Sequence, residues 1–200
     1  VRVETQQKKF QSPYGHYITD VRPWDHGWTY LTPNENLLVD KPWERGADNF
    51  VCPIGLFTTT WWDTFSSLEE DLLRETIKFK TGYEDIILDE YPGATFHRKF
   101  SKPRVIQIDG QPAWYEDFTT NVVTKKETLH YMTHTAVVQE GGKSYAFGMN
   151  YRTKPTKEEK GSNFSFENYY RQGTAASEKL FNDYIQSFHF LNTLPTPAKK

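Results

Sequence analysis

Two histidines, His130 and His134, are four residues apart, a spacing that pairs zinc ligands when it falls on one face of a helix. The sequence around them alternates between apolar and polar side chains, which predicts a strand instead. Four residues of a strand span roughly 13 Å, whereas zinc–nitrogen bonds are about 2 Å long. One ion therefore cannot bind both imidazoles, and this pair predicts no metal site.

A second group of candidate metal ligands lies in a proline-rich stretch near the start of the numbered sequence. It consists of two histidines and two nearby aspartates: His16, His26, Asp20 and Asp25. Side chains in such a stretch are more often solvated loop residues than ligands of a bound ion. We consequently assign no metal and no cofactor to this protein.

Adjacent carboxylates could act as a general acid and base, and three such groups occur: Glu69-Glu70-Asp71, Asp89-Glu90 and Glu116-Asp117. The first group falls in the opening turn of a predicted helix, where negative charge opposes the helix dipole favourably. Glu116 and Asp117 are neighbours on a predicted strand, so their side chains point to opposite faces of the sheet. These carboxylates therefore predict no catalytic pair.

The sequence contains one cysteine, Cys52, which excludes an intramolecular disulfide framework. Its apolar neighbours favour a small buried side chain over a reactive thiol. No serine has the context of a nucleophile elbow, and no glycine-rich phosphate loop is present. We therefore expect no enzymatic activity, and an enzyme that uses Cys52 or a histidine is the least favoured alternative.

The composition limits the classes of partner and compartment. Of the 200 residues 25% are charged, and the net charge of -2 argues against nucleic-acid binding, which requires a basic surface. No apolar run approaches the ~20 residues of a membrane span. Residue 1 is Val rather than Met, so we expect a processed protein whose targeting segment has been removed, and we favour export or organelle import.

The elements that position these side chains are predicted most clearly between residues 105 and 151. Two alternating segments there are each broken by a turn, Asp109-Gly110 and Gly141-Gly142. Glycine readily adopts the positive φ that two-residue hairpin loops require. Alternation at period two places one face of a sheet against a core. This stretch therefore predicts an antiparallel meander.

An amphipathic helix is predicted on each side of the meander in sequence. Ser67 and Glu70 have the spacing of a capping box, and the helix they open should cover residues 68–81, where Gly82 ends it. The second helix is predicted over residues 174–187. Its apolar stripe is formed by five side chains: Leu180, Phe181, Tyr184, Ile185 and Phe188.

Shorter elements complete the predicted architecture. Strands are expected at residues 15–21, 28–31, 50–61, 83–89, 94–100 and 188–191. The charged residues 152–173 predict an exposed loop with little fixed structure. We expect one α+β domain at residues 16–192, preceded by an extended arm at residues 1–15 and followed by a tail at residues 193–200.

Four segments of the sequence resemble the PsbP-like family, which includes PsbP of photosystem II and bacterial DcrB-type envelope proteins. They read SSLEEDLL, IDGQPAWYEDF, VVQEGGKSYAFGM and FNDYIQSFHFL, and the resemblance covers about residues 50–192. It implies an αβα sandwich with a central antiparallel sheet flanked by helices, and no enzymatic activity. In oxygenic phototrophs such proteins are lumenal subunits or assembly factors of photosystems, which they contact partly through an N-terminal arm.

Seven residues are candidates for contact with such a partner: Lys8, Lys9, Phe10, Tyr14, Trp62, Lys154 and Lys157. The first four belong to the predicted arm, which is similar in position and character to the family's docking arm. Trp61 and Trp62 are neighbours on a predicted strand, so one should join the core and the other should offer a contact surface. The last two lysines lie in the predicted loop.

These observations favour a non-enzymatic extrinsic subunit or assembly factor, bound peripherally to a membrane protein complex through protein contacts. The expected compartment is the thylakoid lumen or the bacterial periplasm or envelope. The alternative is a periplasmic small-ligand or lipid-binding protein of the DcrB type, in which the sheet and a helix enclose an apolar pocket. The aromatic content of 16% motivates this alternative.

Overall fold

A computed structural model describes residues 10–11, 17–19, 29–31, 46–52 and 55–191. Within these residues it has three helices: α1 (Leu68–Glu90), α2 (Lys157–Lys160) and α3 (Phe166–Gln186). The strands of the first half are β1 (Phe10–Gln11), β2 (Tyr17–Thr19), β3 (Thr29–Leu31), β4 (Gly46–Cys52) and β5 (Gly55–Asp63). Those of the second half are β6 (Thr95–Phe100), β7 (Arg104–Ile108), β8 (Gln111–Val123), β9 (Thr128–Glu140), β10 (Lys143–Arg152) and β11 (His189–Phe190).

The central sheet has the strand order β3-β4-β5-β10-β9-β8-β6, and β7 pairs with β8 beside β6. All of these pairings are antiparallel. Both predicted hairpin turns of the meander are present, with φ values of 48° at Asp109, 77° at Gly110, 57° at Gly141 and 76° at Gly142. A smaller sheet has the order β1-β2-β11.

Each face of the central sheet is covered by a helix, so the αβα sandwich is confirmed. Leu129 and Val137 of β9 lie in clusters with α1, whereas Ala136 and Val138 of the same strand pack in the cluster that contains α3. Alternate side chains point to opposite faces of a strand, and both sets are therefore buried here. The alternating sequence pattern by itself had predicted one face of this sheet against a core.

Helix α1 begins as predicted but is longer than expected. The capping box forms, because Ser67 Oγ accepts a hydrogen bond from Glu70 N at 3.2 Å and Ser67 N donates to Glu70 Oε2 at 3.3 Å. The helix then continues through Gly82 to Glu90, so the strand predicted at residues 83–89 is wrong. Ile87 is buried in a cluster with Val122 and Leu129, and this tertiary packing outweighs the local cost of a helical glycine.

The exposed loop predicted at residues 152–173 is also wrong in part. Helix α2 and the opening turns of α3 lie within it, and α3 starts at Phe166 rather than near residue 174. The predicted apolar stripe of this helix is confirmed where side chains are described, since Phe181, Tyr184 and Ile185 are buried. The stretch predicted as one strand at residues 50–61 instead belongs to two strands, β4 and β5, which pair with each other.

The smaller sheet joins the first two described strands to the last one. Strand β1 pairs with β2 through Phe10↔Thr19, and β2 pairs with β11 through Ile18↔His189. Part of the predicted N-terminal arm is therefore joined to the C-terminal end of the domain.

Candidate docking surface

The two candidate lysines in the second half of the chain lie at one corner of the sandwich, where β10 ends and α2 follows. The backbone N–H of Lys157 donates to Glu127 Oε2 at 2.7 Å, and Lys157 Nζ donates to the carbonyl oxygen of Lys126 at 2.7 Å. Both bonds reach the turn between β8 and β9. The short helix is thereby tied to a neighbouring hairpin of the central sheet.

A second capping box explains why four residues form a helix here. Glu159 N donates to Thr156 Oγ1 at 3.2 Å, and Thr156 N donates to Glu159 Oε2 at 2.7 Å. Arg152 and the hydroxyl of Tyr170 also donate to Glu159 Oε1, at 2.6 and 2.9 Å. Burial opposes ionisation of Glu159, but these bonds and the charge of Arg152 hold its pKa below the usual value. The carboxylate therefore links β10, α2 and α3.

Four exposed lysines lie on α2 or on the segments next to it, and we call them the basic corner: Lys126, Lys154, Lys157 and Lys160. Lys160 is 3.9 Å from Glu167, whereas no described carboxylate lies within ion-pair distance of the other three ammonium groups. The pKa of nearby His130 is lowered, first by burial and then by the charges of Lys154 and Lys160. The lysines thus place four positive charges at this corner, beside the carboxylates of Glu127 and Glu158.

An exposed aromatic side chain adjoins the basic corner. Phe164 is 58% exposed and packs edge-on against Phe166, with ring centroids 4.8 Å apart. The two rings and Lys160 line an open pocket of about 420 Å³ between α2 and α3. An apolar ring next to ammonium groups suits a protein contact, because it adds buried area where charge has brought the partner close. Phe164 was not among the contact candidates that the sequence patterns indicated.

Trp62 does not offer a contact surface, so that prediction is wrong. Its side chain is 2% exposed and packs with Leu72 of α1 and Val137 of β9. Trp61 is 1% exposed and packs on the opposite face of the sheet. The two tryptophans do point to opposite faces, but both faces are covered.

The remaining candidates fall in the N-terminal arm. Lys8, Lys9 and Tyr14 lie outside the described residues, as do His16, His26, Asp20 and Asp25. Phe10 is in β1, where only its backbone is described. The side chain of Cys52, at the end of β4, is likewise outside the described part. Partner contact by the arm therefore remains a prediction.

The two histidines that could have formed a metal pair have separate environments. His130 Nδ1 lies 2.8 Å from Asn121 Oδ1. His134 is 6% exposed, and the ring of Phe181 stacks on its imidazole. Its Nδ1 lies 2.7 Å from Asp117 Oδ1, and its Nε2 lies 2.9 Å from the Tyr151 hydroxyl. Both ring nitrogens of His134 are therefore within hydrogen-bond distance of other side chains of the protein.

The described residues contain no cluster of three or more His, Cys, Asp or Glu side chains that could hold a metal ion. The carboxylates of Glu116 and Asp117 point to opposite faces, as predicted. Thr76 of α1 donates to Glu116 at 3.3 Å, while Asp117 meets His134 on the α3 face. Among the described helices, none is long and apolar enough to span a membrane.

Comparisons with known proteins support the fold through structure rather than sequence. No family model matches the sequence, and no curated protein matches it. The solution structure of cyanobacterial PsbP (CyanoP) from Synechocystis sp. PCC 6803 matches with a TM-score of 0.52 at 14% identity, covering 92% of each chain. A crystal structure from Bacteroides thetaiotaomicron matches with a TM-score of 0.47 at 12% identity.

The match to the Bacteroides protein covers 94% of this chain and 50% of that one, so the chain spans about half the length of that protein. The likeness to CyanoP extends over nearly all of both chains, although few residues are identical. This chain therefore has the PsbP-like fold, an α+β sandwich around a central antiparallel sheet.

Proposed function

We propose that this protein is a non-enzymatic extrinsic subunit or assembly factor of a membrane protein complex, associated with a photosystem on its lumenal side. The observation that carries the proposal is the structural likeness to cyanobacterial PsbP over 92% of both chains. The protein is then held at the membrane through protein contacts, in the thylakoid lumen or an equivalent periplasmic space.

The basic corner supplies the contact surface. Lys126, Lys154 and Lys157 carry charges without a described carboxylate partner, and they steer the protein towards an acidic surface of the complex. Phe164 supplies apolar area beside them. Because Arg152 and Glu159 fix the fold of this corner internally, little conformational entropy is lost when it docks.

The N-terminal arm supplies a second contact. Lys8 and Lys9 add positive charge, and Phe10 and Tyr14 add aromatic area. The pairing of β1 with β2 places Phe10 and Gln11 in the same small sheet as β11.

The ligand-binding alternative has less support, because aromatic side chains occupy the space between the sheet and α3. Phe57 contacts both Tyr184 and Phe181 of α3, with ring centroids 4.5 and 5.8 Å apart. Phe147 contacts Phe188 at 5.0 Å. The aromatic content that motivated an apolar pocket is used to fill this core.

Sedimentation with membranes tests the proposal. Membranes of the organism that encodes this protein are washed free of extrinsic subunits with salt, and the purified protein is added back. We expect binding that weakens as ionic strength rises, and roughly tenfold weaker binding for Lys154→Glu/Lys157→Glu, since each reversed charge costs on the order of 0.7 kcal/mol.

The matched control is Lys99→Glu/Lys102→Glu, which makes the same charge change at two exposed lysines near β6 and β7. It should bind like the wild type. Equal loss of binding in both double variants would show a general effect of charge, and it would exclude the basic corner as the specific contact surface. Circular dichroism confirms that each variant is folded.

Deletion of residues 1–9 tests the arm while leaving β1 intact. The deletion should weaken binding further when it is combined with the double variant at the basic corner. Unchanged binding after the deletion alone would remove the arm from the proposed contact.

A further inference from the structure

The turn between β7 and β8 carries a side chain that reaches the small sheet β1-β2-β11. The carboxylate of Asp109 accepts a hydrogen bond from the backbone N–H of Phe190, with Oδ2 and N 2.9 Å apart. Its Oδ1 lies 3.1 Å from Nδ1 of His189. His189 and Phe190 are the two residues of β11, so this carboxylate connects the central sheet to the edge strand of the small one. We call this connection the Asp109 contact.

The backbone at Asp109 has the left-handed conformation that favours glycine. Its φ is 48°, and among the described residues other than glycine it alone has a positive φ. Gly141 holds the corresponding position of the turn between β9 and β10, with a φ of 57°. Glycine adopts this conformation without steric cost, whereas a Cβ is disfavoured there. The aspartate therefore gives its turn a carboxylate that glycine could not supply.

The carboxylate of Asp109 is a strong acceptor at this position. Burial opposes its ionisation, but hydrogen bonds from Phe190 and His189 and the charge of His189 hold its pKa below the usual value. A hydrogen bond to an ionised acceptor is roughly twice as strong as one between neutral groups. The N–H of Phe190 is therefore held more strongly by Asp109 than it would be by a backbone carbonyl.

Aromatic packing also attaches β11 to the central sheet. The ring of Phe190 lies 5.0 Å from the rings of Tyr145 and Phe188, and Phe188 is fully buried. Apolar packing has little directionality, whereas an N–H···O bond requires a defined angle as well as a distance. The Asp109 contact therefore sets the direction of the β11 backbone. Because β11 pairs with β2 and β2 with β1, it also sets the position of both other strands.

We propose that Asp109 is a positioning residue that holds the small sheet against the central sheet and thereby sets where β1 of the N-terminal arm lies. Without the carboxylate, β11 keeps its aromatic packing but loses its polar connection to the turn between β7 and β8. The small sheet then moves more freely against the central one. The positioning depends only on the contacts described above, and its use in docking rests on the function proposed for the arm.

Hydrogen exchange of backbone amides, followed by NMR, tests the positioning. Asp109→Gly removes the carboxylate and suits the positive φ, so the turn itself should stay intact. We expect the amides of β2 to exchange roughly tenfold faster in this variant, because a hydrogen bond to a charged group contributes about that factor. The amides of β8 and β9 serve as the internal reference and should be unchanged. Unchanged exchange in β2, or equal acceleration in all three strands, would overturn the proposal.

Asp109→Asn is the matched control at the same position. Its amide oxygen can still accept from Phe190 N, and asparagine tolerates a positive φ. The amides of β2 should therefore exchange nearly as slowly as in the wild type. Acceleration as large as in Asp109→Gly would contradict a small sheet that is positioned by this hydrogen bond.

Membrane binding tests whether docking uses the positioning. Deletion of residues 1–9 should weaken the binding of the wild type more than that of Asp109→Gly, in which the arm is already misplaced. Equal weakening in both proteins would show that the arm docks without the Asp109 contact. If the deletion does not weaken the wild type, the arm has no part in docking, and the exchange of β2 alone decides whether Asp109 positions the small sheet.

Discussion

The two faces of the central sheet are held by different kinds of interaction. On the α3 face, aromatic and aliphatic side chains form one continuous cluster that includes Phe57, Phe147 and Phe181. On the α1 face, the apolar contacts divide into two smaller clusters, one around Trp62 and one around Ile87. The α1 face must therefore rely more on polar contacts.

A buried carboxylate provides the main polar contact of the α1 face. Asp71 is fully buried; Ser144 Oγ donates to it at 2.6 Å, Gln139 Nε2 at 2.9 Å and Arg74 at 3.3 Å. Ser66 donates to the same carboxylate. These bonds connect the first turn of α1 to β9 and β10. The α3 face is packed mainly through one continuous apolar cluster, whereas the α1 face combines two smaller apolar clusters with the partners of this buried carboxylate.

Truncation on the α3 face should have the largest effect. Phe181→Ala removes a 1% exposed ring that contacts Phe57 and stacks on His134, so the free energy of unfolding should fall by about 4 kcal/mol. Urea denaturation measures this fall in the free energy of unfolding. Phe164→Ala removes the same ring at a 58% exposed position and should cost less than about 1 kcal/mol. Similar losses for both would contradict a close-packed core on this face.

Removal of the buried charge should have the next largest effect. Asp71→Ala leaves the donors of Ser144, Gln139 and Arg74 without their acceptor, and we expect the free energy of unfolding to fall by about 3 kcal/mol. Glu69→Ala, at an exposed position in the same helical turn, is the control. A loss below about 1 kcal/mol at Asp71 would mean that apolar packing alone holds α1.

The helix starts on the two faces should also differ. Ser67 caps α1 with its side chain, whereas Ser165, at the N-cap of α3, makes no side-chain cap hydrogen bond. Ser67→Ala should lower the free energy of unfolding by about 1 kcal/mol, and Ser165→Ala should have little effect. Thermal unfolding of both variants compares them, and equal losses would show that the cap adds nothing to α1.

The smallest expected difference is the response to pH of two neighbouring carboxyls. Asp117, on the α3 face, has a lowered pKa despite burial, so its ionisation stabilises the fold above pH ~4 and this contribution is lost as the pH falls. Glu116, on the α1 face, has a raised pKa, first because of burial and also because of Asp117. Its contribution is present at low pH and is lost as the pH rises.

At pH 7, Asp117→Asn should therefore lower the free energy of unfolding, and Glu116→Gln should raise it slightly. Urea denaturation of both variants at pH 3.5 and pH 7 measures the two signs. The same sign for both at pH 7 would contradict the assignment of these side chains to different electrostatic environments.

Local sequence signals predicted the elements that local chemistry determines. The glycine turns at Gly110 and Gly142 and the capping box at Ser67 needed no knowledge of distant residues. The length of α1 depends on distant residues, because Ile87 is held in a helix by packing against strands that are distant in sequence. The start of α2 could also have been predicted from the sequence, since Thr156 and Glu159 have the same capping-box spacing as Ser67 and Glu70.

The basic corner and the buried contacts of His134 also differ in how far the sequence alone predicts them. Lys154 and Lys157 could be identified from sequence as exposed charges, but the tie of α2 to the turn at Glu127 depends on the folded arrangement. The contacts of His134 with Asp117 and Tyr151 could not be predicted, because they need the register that places Asp117 opposite His134. Strand register and helix placement are tertiary properties.

Site-specific photo-crosslinking tests the proposed docking surface most directly. A photoreactive phenylalanine analogue replaces either Phe164, beside the basic corner, or Phe65, before α1; the two rings are 58% and 62% exposed. Each protein is bound to salt-washed membranes and irradiated. We predict that position 164 crosslinks to an integral membrane protein and that position 65 does not. Crosslinking from position 65 alone would contradict docking through the basic corner.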